Sequence, residues 1–103
     1  MKKSIKTKFT ALTSDAWIDV TETPASSDVV VISDIILSSD QSASKCQLRQ
    51  YNGSANELVA VFNTASDRNE VCNFQEPIHL KQGYRLQCSA SANSFATINY
   101  YTI

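Results

Sequence analysis

Catalysis or metal binding in this chain would have to pass through very few side chains. His79 is the only histidine among 103 residues, so a Ser-His-Asp or Cys-His relay could be built on no other residue. Alternation along Pro77-Ile78-His79-Leu80-Lys81 turns it outward, with no thiol or hydroxyl near it in sequence. One histidine with scattered carboxylates is a poor metal set. The three cysteines, Cys46, Cys72 and Cys88, are odd in number and none lies in a C-x-x-C pair. Cys46 and Cys88 fall in phase with Leu48 and Leu86, which predicts reduced, buried, inert thiols. Asp67, Asn69 and Glu70 come nearest to a calcium loop, but Arg68 stands among them. Two glycines are too few for a phosphate cradle. Asp15 and Asp19 flank Trp17 at strand spacing. A glycosidase would need such carboxylates facing each other across a cleft; on one strand they read as a solvated face. The pattern implies no enzyme, no metal and no cofactor.

The aromatic residues are the other source of chemistry. Trp17, Tyr51, Tyr100 and Tyr101 could stack on sugar rings. No Asn/Asp/Arg cluster adjoins them at one loop, however, and Trp and Tyr are enriched in protein interfaces. The expectation is a core position for Tyr100 and a partner subunit over Trp17, with carbohydrate binding as the alternative.

Whatever these side chains do, strands must position them. The stretch Val29 to Ser39, VVVISDIILSS, puts seven aliphatic residues into the nine positions from Val29 to Leu37, the composition of a strand covered on both faces. Even positions give Val30, Ile32, Asp34 and Ile36, odd positions Val29, Val31, Ser33, Ile35 and Leu37, so neither face is polar throughout. Either Ser33-Asp34 marks a bulge that switches faces, or the second face is covered by another subunit. Before it, Ile5 to Thr13 alternates loosely, Ser14-Asp15 forms a turn, Ala16 to Glu22 alternates with Trp17, Asp19 and Thr21 on its polar side, and Thr23 to Asp28 turns around Pro24. After it, Lys45 to Tyr51 has Cys46 and Leu48 inward, and Asn52-Gly53 is a strong hairpin signal with a return run at Leu58 to Phe62. Val71 to Gln75 is a short strand that Pro77 interrupts. Ile78 and Leu80 then turn inward, Tyr84 to Ala90 alternates, and Phe95 to Ile103 closes the series with Ile98 and Tyr100 on one face. About eight short strands with polar turns and no helical period predict an all-β, single-domain antiparallel β-sandwich of jelly-roll type.

Charge is uneven along the chain. The formal net charge is −1, which gives no bulk attraction to nucleic acid. Lys2, Lys3, Lys6 and Lys8 hold four of the nine basic residues, leaving five basic against ten acidic residues in the rest. This reads as a basic N-terminal arm over residues 1–8 and an acidic β-sandwich domain over residues 9–103. MKKSI is followed by no apolar h-region, and no run approaches the ~20 apolar residues of a membrane span. A cytosolic site of synthesis, no signal peptide and no membrane are therefore expected.

The segment Glu76 to Ile103, EPIHLKQGYRLQCSASANSFATINYYTI, has the skeleton Pro77-Ile78-x-Leu80-x-x-Gly83-x-x-Leu86-x-Cys88-x-Ala90, then a turn and a final alternating strand. With Pro24-Ala25 followed by Val29 to Ser38, it resembles small β-sandwich structural proteins of tailed bacteriophages: capsid decoration (cement) proteins and short head, neck or tail accessory proteins. One departure is Tyr84, where many of that group carry Asp after the Gly. The resemblance implies a non-enzymatic virion protein, made in the host cytoplasm, that stabilises a shell by subunit contacts. Its expected partners are phage capsid or tail proteins and further copies of itself. The expected interface is Trp17, Val30, Ile32 and Ile36, with Lys2, Lys3, Lys6 and Lys8 reaching onto the shell. The alternatives are a carbohydrate-binding module and a tail, neck or fibre accessory subunit.

Overall fold

A computed structural model describes residues 5–39, 43–65 and 69–103, and among these residues the alternation becomes eight strands. They are β1 (Lys6–Leu12), β2 (Ile18–Asp19), β3 (Val30–Ser39), β4 (Ser44–Tyr51), β5 (Asn56–Thr64), β6 (Asn69–His79), β7 (Arg85–Ala90) and β8 (Ser94–Thr102). The first sheet has the order β1-β8-β3-β6 and the second β2-β7-β4-β5. Every pairing between these strands is antiparallel. Strands β1 and β8, β2 and β7, β3 and β6, and β4 and β5 are thus partners of one long ribbon folded over on itself. Two four-stranded sheets wound in this way form a jelly roll, as the sequence predicts.

The tip of the ribbon is the β4–β5 hairpin. Gly53 has φ 104°, a conformation an L side chain resists. The Asn52 side chain closes the turn, its Oδ1 accepting the N–H of Ser54 at 2.9 Å and of Ala55 at 2.7 Å. The return strand starts at Asn56, earlier than the apolar run alone suggests.

Strand β3 resolves the choice its composition left open. Ile32 faces Tyr100 and Asp34 faces Asn99, so Ser33 is an extra residue in the ladder. The bulge switches the inward set from Val30 and Ile32 to Ile35 and Leu37. Val30 and Ile32 are 0% and 1% exposed inside this single chain, which corrects the expectation that they meet a partner. The switch leaves Asp34 and Ile36 on the outer side.

Two boundaries also differ from expectation. Strand β6 runs through Pro77, because residues 74–77 lie between Asn73, the partner of Asp34, and Ile78, the partner of Ile32. The missing N–H of Pro77 falls where the ladder with β3 is already interrupted. The alternating run from Ala16 pairs only over Ile18–Asp19. Beyond it the Val20 N–H donates to the Leu86 carbonyl at 3.0 Å and the Leu86 N–H to Thr21 Oγ1 at 3.0 Å. A side chain there replaces a ladder bond.

Between the sheets, Leu12, Leu37, Leu48, Leu86 and Ile98 are at most 2% exposed. Tyr100 is buried among them, and its hydroxyl accepts the Glu22 N–H at 3.3 Å. Cys46 and Cys88 are buried free thiols and Cys72 is half-buried. The Cys46 sulfur and burial together push the Cys88 thiol well above its ordinary range. Native protein should therefore give up one thiol per chain to an aromatic disulfide reagent, slowly and at Cys72, with the other two appearing only on unfolding. Two or more reactive thiols before unfolding would contradict this packing.

Candidate interaction surfaces

The outer face of the first sheet is built by the odd positions of β1 and β8. Across the sheet, Phe9 faces Thr97, Thr97 faces Ile36 and Ile36 faces Val71, while Ala11 faces Phe95 and Phe95 faces Ser38. Seven large apolar side chains are exposed in the described residues, and five, Ile5, Phe9, Val71, Phe95 and Ile103, belong to this sheet or its flanks. Phe9 and Phe95 stack with ring centroids 5.5 Å apart. Beside this apolar row runs a polar one. Thr7 Oγ1 donates to Asn99 Oδ1 at 2.6 Å, and Asn99 Nδ2 donates to the Asp34 carboxylate.

The outer face of the second sheet holds charged and aromatic groups. Opposite one another are Asp19 and Gln87, Gln87 and Arg49, and Arg85 and Tyr51. The Arg49 guanidinium lies 4.1 Å from the centre of the Trp17 ring and 4.9 Å from that of Tyr51. Arg85 lies 4.8 Å from the Tyr51 ring. Both arginines are fixed through Nε: Arg49 donates to Gln87 Oε1 at 2.8 Å and Arg85 to Asp19 Oδ1 at 2.8 Å. Gln87 Nε2 completes the chain to Asp19 Oδ1 at 2.7 Å. Burial by itself would raise the Asp19 carboxyl. The hydrogen bonds from Arg85 and Gln87 and the charges of Arg85 and Lys8 outweigh it and hold the group below the ordinary carboxylate range.

The structure separates the residues expected to form one interface. Trp17 is half-buried on the second sheet, Ile36 half-buried on the outside of the first, and Val30 and Ile32 in the core. Lys6 and Lys8 are not on an arm. They are strand residues of β1, facing Tyr100 and Ile98 across the ladder, and Lys6 pairs with Glu22. Lys2 and Lys3 lie outside the described residues, as do Asp67 and Arg68 of the weak calcium pattern. Asp15 sits in a turn with φ 61° and its N–H on the Ala90 carbonyl, whereas Asp19 is bound to Arg85 and Gln87. His79 is exposed beside the Pro77 carbonyl. Among the described residues no group of three or more His, Cys, Asp and Glu is placed to hold a metal, and none forms a helix long and apolar enough to cross a membrane.

The cluster around Arg49 overturns one expectation. The sequence shows no polar cluster beside the aromatics at any one loop, yet strands β4 and β7 and the β2 segment bring Arg49, Arg85, Asp19 and Gln87 to Trp17 and Tyr51. Outward parity of Arg49, Arg85 and Gln87 is readable from alternation. The register that makes them neighbours is not. Compared with known families and with curated proteins, the chain matches no family model and no curated protein.

Proposed function

We propose that this jelly roll is a non-enzymatic structural subunit of a phage virion, a capsid decoration protein that stabilises a shell by contacts between subunits. The observation that carries the reading is the exposed apolar face of the first sheet, with Phe9 61% and Val71 54% exposed. Such a contiguous face marks a contact surface. Four strands about 4.8 Å apart and about nine residues long, at about 3.4 Å each, give a face of roughly 600 Å². Two such faces together bury on the order of 1,200 Å², the lower end of specific interfaces. The sequence resemblance supplies the kind of partner, a phage capsid or another copy. A carbohydrate-binding role is less well supported, because Arg49 already lies over the rings of Trp17 and Tyr51.

Sedimentation of purified protein, alone and with expanded capsids or tail complexes, tests the reading. Oligomers or co-sedimentation are expected, and the double change Phe9→Ser with Phe95→Ser should abolish them while leaving the thermal transition in place. A monomer that binds neither assembly would overturn it.

A further inference from the structure

We infer that the outer face of the second sheet is a docking site for an acidic segment of a partner protein, whose carboxylate takes the terminal amino groups of Arg49. This concerns the opposite sheet from the apolar contact face and does not depend on the partner being a capsid.

The reason lies in what Arg49 lacks. Lys6 is paired with Glu22, Lys81 with Glu57 and Arg85 with Asp19. Among the described residues Arg49 has no carboxylate at ion-pair distance. Among those residues the one hydrogen-bond partner of its side chain is the neutral amide of Gln87. It is nonetheless half-buried and held over two rings. A cation withdrawn from water without a counter-ion is costly, and here its orientation is fixed before any ligand arrives. Nε is committed to Gln87, so the planar terminal amino groups remain, the geometry that binds a carboxylate. Fixing them in advance lowers the ordering cost of binding.

The charge of the cluster selects the ligand's sign. Arg49 and Arg85 stand against the single carboxylate of Asp19, and Lys8 is close enough to act on that carboxylate. The cluster is cationic in a chain whose net charge is −1. The surroundings select a protein segment over an anionic glycan. Guanidinium groups already lie over the Trp17 and Tyr51 rings where a sugar would stack. Leu58, across the ladder from Arg49, and Val61, across from Gln47, add exposed apolar side chains to the same face. Acidic and apolar side chains together suit that surface, and Trp, Tyr and Arg are the residues that dominate protein contacts.

Trp17 is the only tryptophan, so its fluorescence reports occupancy directly. An oligoglutamate peptide carrying leucines, titrated at low ionic strength, should give a saturable, salt-sensitive change. Arg49→Gln should weaken it about 10–100-fold, the loss of a charge-assisted pair. Arg49→Lys, which keeps the charge and loses the fork, should also weaken it, and Lys45→Gln on the same face should not. An oligouronate should bind more weakly than the peptide. In the unaltered protein, the Trp17 indole and Arg49 Nε–H resonances should move on titration, a readout that needs no folded variant. The inference is overturned by no saturable response, by resonance shifts confined to other residues, by equal loss in Lys45→Gln, or by preference for the oligouronate.

Discussion

Ile98→Ala is expected to lower unfolding stability by about 2–5 kcal/mol, the range for removing a large aliphatic side chain from a packed interior. Ile98 is 0% exposed. It lies mid-way along β8, facing Lys8 of β1 on one side and Ile35 of β3 on the other. Both flanking strands hold Ile98 in their ladders, so the backbone around the cavity has little freedom to close it. A domain of this size has about 5–15 kcal/mol in total, and each kcal/mol shifts the melting midpoint by about 4–8 °C. Ile36→Ala, one row away but outward on β3, should cost less than about 1 kcal/mol. Chemical denaturation of both variants checks the pair. A loss at Ile36 equal to that at Ile98 would contradict the outward position of Ile36, and a larger one would mean that the two faces are exchanged.

Thr21→Val is expected to cost about 1–3 kcal/mol although it changes neither volume nor charge. Thr21 is 1% exposed, and its hydroxyl oxygen takes the Leu86 N–H where β2 has ended and no ladder partner remains. Valine removes the acceptor and strands a buried donor, whose desolvation is then uncompensated. Thr21→Ser keeps the oxygen and should restore most of the difference. If valine proves as stable as threonine, the Leu86 N–H has another partner and the account of this corner is wrong.

These two residues mark where the sequence could be read and where it could not. Ile98 sits in the clean alternation of Ala96, Ile98 and Tyr100, and period-two patterning assigns it inward without ambiguity. Thr21 also falls in an alternating run, on the same side as Trp17 and Asp19, and that run reads as a polar outer face. The pattern fails there because pairing stops at Asp19. Past that point the side chain answers to a single backbone donor from β7, a residue 65 positions away. Val30 and Ile32 failed for a different reason. Four consecutive aliphatic residues, Val29 to Ile32, carry no parity of their own, so only the bulge at Ser33 decides which pair is inside. The two candidate surfaces were legible least of all. Phe9 and Phe95 sit at opposite ends of the chain, and Trp17, Arg49 and Arg85 come from three separate segments. Composition shows such residues but not the register that joins them.

One property of the winding bears on how the protein is made. Of the six strand pairings only β4 with β5 joins strands adjacent along the chain. Strand β8 comes last of the eight yet lies between β1 and β3 in the middle of its sheet. During synthesis β1 and β3 therefore wait with unpaired backbone edges for a strand made after the other seven. Long-range closure of this kind is slow and leaves the nascent chain open to mispairing. The nascent chain is therefore most exposed to mispairing in the interval before β8 is in place.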